Sequence, residues 1–313
     1  MIEVRNLVKD YGNFRAIDNI SFEVKEGEIM GFLGPNGAGK TTTMRILSGY
    51  MKATDGQARI AGLDVFDNPL KTKRFTGYLP ESTPLYSYMR VTDFLDFMAS
   101  FNGLADRPAR KKRVEYAVER CGLKEIRNRI IGHLSKGNRQ RVGIAQALVH
   151  NPKVLILDEP TIGLDPNQII NIRNTIRDLK NEHTIILSSH ILSEVSMTCD
   201  RALIIDRGSV VAMDTPDKLS TQMEGDNLLA FIRCSGKEEA VMEALKTVKG
   251  VDKVDREKDG YLVNIKADQG NLEDLPRLII ARNWDLREFS PQRLSLEDVF
   301  IKLTGSETEE DNR

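Results

Sequence analysis

The run GFLGPNGAGKTT, Gly31 to Thr42, constrains this chain more than any other segment. It fits the pattern GxxxxGK[ST] at Gly34, Gly39, Lys40 and Thr41, and it lies between a short β-rich run and a helical pattern from Lys40 to Tyr50. Glycines there let successive backbone N–H groups converge on phosphate oxygens, and the helix N-terminus behind them adds partial positive charge. Lys40 is spaced to reach the β and γ phosphates of a nucleotide, and Thr41 to ligate magnesium.

From Ile2 to about Ala212, short β-rich runs alternate with helical stretches, which predicts an α/β layer fold. Its first part reads as partly antiparallel, with strands in MIEVRNL, ISFEV and EIMGFLG, the last two joined by a turn at Glu26-Gly27. VLILDEP, HTIILSSH and ALIIDRGSVVAMD are apolar runs of the kind buried on both faces of a sheet. Between Val91 and Val149 the β pattern gives way to helical spacing (Phe94, Leu95, Phe97, Met98, then Val114, Ala117, Val118, Cys121), which predicts a helical insert. After about Glu224 the order strand, helix, hairpin around Lys258-Asp259-Gly260, helix, strand matches a small ferredoxin-like α+β domain. SLEDVFIKLT follows as a closing helix, with Ser295 as N-cap and Asp298 as the acid of a capping box. The expected division is therefore 1–223, 224–304 and a disordered acidic tail, 305–313.

With 45 basic and 46 acidic side chains in 313 residues, the net charge of -1 gives no global attraction to nucleic acid or to an anionic membrane. Cys121, Cys199 and Cys234 form no CxxC pair, which argues against a disulfide framework or a zinc site and for a reducing cytosol. No apolar run approaches the roughly 20 residues that span a bilayer, and MIEVRNLVKD lacks a signal sequence, so a cytoplasmic chain is expected. One local charge excess stands out: Arg107 to Arg141 holds twelve basic and three acidic residues, a net of +9. It is either a solvated helical face or a contact for RNA or lipid.

Two further segments carry chemistry. VLILDEP ends a buried strand in Asp158 and Glu159, which strand alternation points in different directions. Asp158 would sit beside Thr41 near magnesium, and Glu159 could polarise an attacking water as general base. LSKGNRQRVGIAQALVHNP places Ser135 and Gly137 at a second helix N-terminus, either an ordinary serine cap or a second phosphate cradle. One nucleotide needs one cradle, so the second would serve a nucleotide held by a partner subunit in a head-to-tail dimer.

In their order, GPNGAGKT (Walker A), LSKGN (signature), VLILDEP (Walker B), GLDP (D-loop) and SSH (switch histidine) resemble the nucleotide-binding subunit of ABC transporters over roughly residues 2 to 220. The resemblance implies a P-loop NTPase, with a RecA-like core, an antiparallel β subdomain and the helical insert, using ATP and Mg2+. It extends nucleotide binding across Gly34, Pro35, Asn36, Gly37, Ala38, Gly39, Lys40, Thr41 and Thr42. Tyr11 matches the aromatic that stacks on adenine, though a strand-end tyrosine would look the same. His190 matches the histidine at the γ-phosphate and water, Ser135, Gly137 and Asn138 the signature, and Asp165 the aspartate across the dimer interface.

Two positions depart from the common pattern. Glu81 in GYLPE stands where most members have a magnesium-contacting glutamine, and the signature reads Ser-Lys-Gly-Asn instead of Ser-Gly-Gly-Gln. Both departures, and the terminal SLEDVFIKLTG, resemble the export branch that works with a separately encoded permease. The resemblance thus implies an ATPase dimer, homomeric or heteromeric, peripheral on the inner face of the membrane, with no nucleic acid partner. Two alternatives stand beside it: a soluble ABC ATPase acting on ribosomes or DNA through the basic insert, and a low-turnover regulatory subunit. The C-terminal domain would be a dimer clamp, a seal, a sensor or a stability appendage.

Overall fold

A computed structural model of the chain describes residues 1–219, 227–257, 259–266 and 268–292. The chain divides into two compact units between Pro216 and Asp217, ahead of the expected 223/224 boundary, which itself falls outside the described residues. The expected closing helix with Ser295 and Asp298, the tail 305–313 and Lys258 of the hairpin turn also lie outside them.

In the first unit, β1 (Ile2–Tyr11) and β2 (Phe14–Val24) form an antiparallel hairpin with Tyr11 opposite Phe14, and β4 (Asp55–Ile60) and β5 (Leu63–Asp64) extend it in the order β2-β1-β4-β5. β3 (Ile29–Leu33) does not pair with β2. The turn after Val24 carries the chain into a second sheet, where β3 lies parallel between β8 (Thr184–Ser189) and β9 (Arg201–Asp206). That sheet has six strands in the order β10-β9-β3-β8-β7-β6, with β6 (Thr76–Leu79) and β7 (Val154–Asp158) parallel and β10 (Ser209–Asp214) antiparallel at one edge. Every residue of β3, β7 and β8 is buried, as strands covered on both faces require. ALIIDRGSVVAMD is two strands, folded back at Arg207-Gly208.

The helix after β3, α1 (Lys40–Leu47), stops at Ser48-Gly49, with Gly49 left-handed at φ 69°. α2 (Pro69–Phe75) precedes β6. The insert holds α3 (Val91–Phe101), α4 (Arg107–Arg120) and α5 (Lys136–Leu148), with short 3-10 turns between α4 and α5. Val114, Ala117, Val118 and Cys121 are buried as their spacing predicts, but Phe97 is exposed and Met98 only half-buried. Four of the twelve basic residues are ion-paired within the fold: Lys124 with Glu119 and Arg127 with Glu115, both acids already inside the counted stretch, and Arg110 with Asp96 and Arg120 with Glu182, which lie outside it. Arg113 instead closes the C-terminal end of α5 by donating to the Leu148 and Val149 carbonyls. α6 (Pro166–Leu179) and α7 (Leu192–Thr198) follow β7 and β8. Among the described residues no helix is long and apolar enough to cross a membrane.

The second unit has the strand order β12-β13-β11-β14, all antiparallel, from β11 (Asn227–Cys234), β12 (Val251–Glu257), β13 (Gly260–Lys266) and β14 (Leu286–Gln292). With α8 (Glu238–Lys246) and α9 (Asp274–Ala281) this is the ferredoxin-like arrangement. Ala230, Ile232, Val263 and Ile265 of the central strands bury against Val241 and Leu245 of α8 and Leu275 and Ile279 of α9.

Of the glycines in the first unit, Gly77 of β6 leaves least room: a Cβ there would lie 2.0 Å from the Ala147 carbonyl oxygen of α5. Backbone cannot yield as a flexible side chain can. Gly77→Ala is therefore expected to cost about 1–3 kcal/mol, read as a fall in denaturation midpoint without a change in slope.

Candidate active site

Because β3, β7 and β8 run parallel, the segments leaving their C-terminal ends meet at one edge of the sheet, where open α/β folds bind ligands. A cleft of about 550 Å³ opens there. Tyr11, Pro35, Asn36, Gly37, Gly39, Lys40, Thr41, Thr42, Glu81, Glu159 and His190 line it, together with Phe14, Ala16 and Ile162, which the sequence reading did not single out.

The loop from Gly34 to Gly39 is shaped by close packing. A Cβ on Gly34 would lie 2.3 Å from the Ile205 carbonyl oxygen, and one on Gly39, at φ 109°, 2.7 Å from that of Ala16. Lys40 folds back beneath this loop, with Nζ donating to the carbonyls of Gly34 (2.6 Å) and Pro35 (3.1 Å) and lying 3.7 Å from Glu159 Oε1. Burial pushes its ammonium below the ordinary lysine range, against the pull of the Glu159 and Asp158 carboxylates. Ala38 departs from expectation. Its side chain packs into the core and its N–H donates to the Pro35 carbonyl, so it neither lines the cleft nor offers a free donor.

Asp158 is fully buried at the end of β7. Its Oδ1 accepts from Ser188 Oγ (2.6 Å) and Thr41 Oγ1 (3.3 Å), while Oδ2 is buried with no hydrogen-bond partner. Burial raises its carboxyl above the usual range, opposed by the Ser188 and Thr41 bonds. An orphaned carboxylate oxygen beside a threonine hydroxyl fits magnesium, which binds few protein oxygens and completes its shell with water and phosphate. Among the described residues no group of three or more His, Cys, Asp or Glu side chains gathers at metal-binding distance, and such a site does not need one. Glu81 borders the same cleft and its charge reaches both Lys40 and Asp158.

Glu159 separates from Asp158 by a different device than strand alternation. β7 ends at Asp158, and Glu159 turns away in the left-handed region at φ 47°, a conformation that costs a non-glycine residue about 1–3 kcal/mol. The neighbours hold it there: its N–H donates to Ser188 Oγ (2.9 Å), and its Oε2 lies 2.8 Å from His190 Nδ1. One serine hydroxyl thus bonds both acidic residues, a role the SSH motif did not advertise.

Seven candidates are not part of the cleft lining: Gly34, Ala38 and Asp158, described above, and Ser135, Gly137, Asn138 and Asp165. Ser135 caps α5 by accepting from the Asn138 N–H (3.3 Å), and Asp165 caps α6 by accepting from the Gln168 N–H (3.0 Å). Gly137 lies so close to Gln168 that a Cβ would come within 2.1 Å of its side-chain oxygen. Tyr11 borders the cleft, half-exposed, with its hydroxyl on Met51 Sδ.

The sheet order, the glycine loop opening α1 and the carboxylates at the end of β7, separated from β3 by β8, define a P-loop NTPase. Residues 17–162 match the family described as ABC transporter, and residues 215–304 match the C-terminal domain of ATP-binding proteins like DrrA1-3. The chain is 34% identical over 310 residues to the bacitracin transport ATP-binding protein BcrA of Bacillus licheniformis, covering 98% of each. It is 33% identical over 308 residues to the linearmycin resistance ATP-binding protein LnrL of Bacillus subtilis, covering 97% of this chain and 98% of that one. Among solved structures it resembles an ATP-binding subunit of an ABC transporter, with TM-score 0.65, 31% identity, and coverage of 71% of this chain and 93% of the other. It also resembles a dimeric ATP-binding cassette with ADP and Pi bound, with TM-score 0.63, 25% identity, and coverage of 69% and 98%. This chain belongs to the ATP-binding proteins of ABC transporters, and its activity is ATP hydrolysis.

If Asp158 holds magnesium, Asp158→Asn keeps the shape and the Ser188 contact but removes the charge. Calorimetric ATP titrations should then lose about 10- to 100-fold in affinity with magnesium present and change little in EDTA.

Proposed function

We propose that two such ATP-binding subunits associate head to tail, hydrolyse MgATP at shared sites, and drive export through a separately encoded membrane permease. The observation that carries the shared site is the separation of motifs: the cleft gathers the phosphate loop, Glu159 and His190, whereas the capped N-terminus of α5 with Ser135, Gly137 and Asn138 does not line it. A partner's α5 would supply the missing wall, with Asp165 near the join.

Within the site, Tyr11 would stack on adenine, the N–H groups of Asn36, Gly37 and Gly39 to Thr42 would bind phosphate oxygens, and Lys40 would swing from the Gly34 and Pro35 carbonyls to the β and γ phosphates. Thr41, Asp158 and Glu81 would hold magnesium, which neutralises phosphate charge when bound. Glu159 orients the attacking water and takes its proton, and His190 steadies the Glu159 carboxylate and faces the γ-phosphate.

Export is supported by the transport and resistance relatives, BcrA and LnrL. For the permease contact, a groove of about 570 Å³ opens between the sheet and the insert, lined by Tyr50, Tyr86, Phe97, Met98 and Phe101. Phe101 and Tyr50 are 77% and 76% exposed, an apolar surface that a soluble chain covers with a partner. Part of the insert's charge goes into internal ion pairs, and the transport and resistance relatives lend the ribosome or DNA reading no support. These features support a place for the subunit on the inner face of the membrane.

Complementation tests the shared site. Lys40→Ala and Ser135→Arg homodimers should each be inactive, but mixing them creates heterodimers with one site intact on both sides, restoring ATPase activity in part. If each chain served its own nucleotide, no mixture would recover activity. Glu159→Gln should lower turnover by about 10²- to 10⁴-fold while ATP still binds, a Glu159-dependent rate that also removes the low-turnover reading; full turnover would exclude Glu159 as the base.

A further inference from the structure

Glu194 stands in the first turn of α7, four residues beyond His190. An acidic side chain there ordinarily answers the free N–H groups of its own helix. This one turns elsewhere. Its Oε2 accepts from the Thr161 hydroxyl, and its Oε1 is buried without a hydrogen-bond partner. Burial raises the carboxyl above its usual range, the Thr161 bond opposing and the neighbouring Glu159 charge adding to the rise. A half-satisfied buried carboxylate is costly, and such groups in a folded protein call for an explanation.

Position supplies one. Thr161 is buried two residues after Glu159, in the turn that leaves β7, while Glu194 belongs to the segment that leaves β8 with His190. The Thr161–Glu194 bond therefore ties together, a second time, the two segments whose side chains meet at Glu159 Oε2 and His190 Nδ1. That second tie matters even though Ser188 holds the Glu159 N–H and Lys40 lies 3.7 Å from its carboxylate. Glu159 sits in a strained left-handed conformation, and the His190 side chain is 42% exposed. Without a brace, Glu159 can relax toward an ordinary backbone conformation and carry its carboxylate off the water.

We propose that Glu194 is a positioning residue for ATP hydrolysis: by holding Thr161 it fixes the turn that presents Glu159 and keeps that carboxylate in register with His190. Glu194 does not line the nucleotide cleft. The inference rests on the assignment of Glu159 as general base.

The test uses the full chain, comparing turnover, KM for ATP, affinity for a non-hydrolysed ATP analogue and thermal midpoint. Glu194→Ala and Thr161→Val should each lower kcat by about 10- to 100-fold, the scale of a small misplacement at a reacting group, with KM and analogue affinity unchanged. The double variant should be no slower than either single one. Glu194→Gln and Thr161→Ser, which keep an acceptor and a hydroxyl, should recover most of the rate. In a Glu159→Gln background, Glu194→Ala should cause no further loss. Unchanged kcat in Glu194→Ala, additive losses in the double variant, or a loss of analogue affinity matching the loss of rate would overturn the proposal. Should the alanine variant fail to fold, Thr161→Val against Thr161→Ser decides it alone. Glu159→Gln by itself separates the two ideas: full turnover there removes the general-base assignment, whereas a collapse there with normal rates in the Glu194 and Thr161 variants removes only the brace.

Discussion

One ammonium and two carboxylates, Lys40, Asp158 and Glu159, share a water-poor edge of the parallel sheet, and the rest of the site follows from keeping them there. None can be buried alone, because an unpaired charge in such surroundings costs several kcal/mol. Lys40 is met by two loop carbonyls and by Glu159, and Asp158 by two hydroxyls. The balance is still one negative charge in excess, with one Asp158 oxygen unmatched. A triphosphate entering this cleft would worsen that excess on its own. A divalent cation arriving with the phosphate chain would offset part of that added charge and meet the unmatched Asp158 oxygen, so the residues present suit a nucleotide that brings its cation with it.

The parallel sheet makes this possible because it brings β3, β7 and β8 to a common edge with every residue buried. Strand ends, rather than strand faces, then carry the chemistry. The ferredoxin-like second unit has no counterpart to that edge, since its strands are all antiparallel. Its sheet instead builds a one-sided core under two helices.

What the sequence made legible was local. The glycine loop could be read because each position answers a backbone demand visible in the motif, such as the left-handed Gly39 pressed against Ala16. The separation of β2 and β3 into different sheets could not, because a tight turn at Glu26-Gly27 looks the same whether the chain folds back or passes on. β4 and β6 were missed because DGQARI starts with three exposed residues and TGYL is only four residues long, too short for periodicity. The +9 count misled because two of its neutralising partners, Asp96 and Glu182, lie outside the counted stretch. Ser188, Thr161 and Glu194 escaped for the same reason: their partners are about thirty residues away, and pairing across parallel strands leaves no spacing to recognise.

The signature and the D-loop were read as separate motifs, yet they are packed as one body. Gly137 presses on Gln168, Lys136 lies against Gly163 at its left-handed turn, and Gln168 is the residue whose N–H Asp165 caps. A displacement of α5 would therefore press directly on the D-loop. The lysine of the unusual Ser-Lys-Gly-Asn signature is part of this contact, and a glycine there would leave Gly163 without a neighbour on that side. Asp165 has one carboxylate oxygen committed to α6, so any reach across a dimer join falls to its other oxygen and to the backbone. In a head-to-tail pair, closure on one nucleotide would then be felt at the other through α5 and the D-loop moving together, without a separate relay between the two sites.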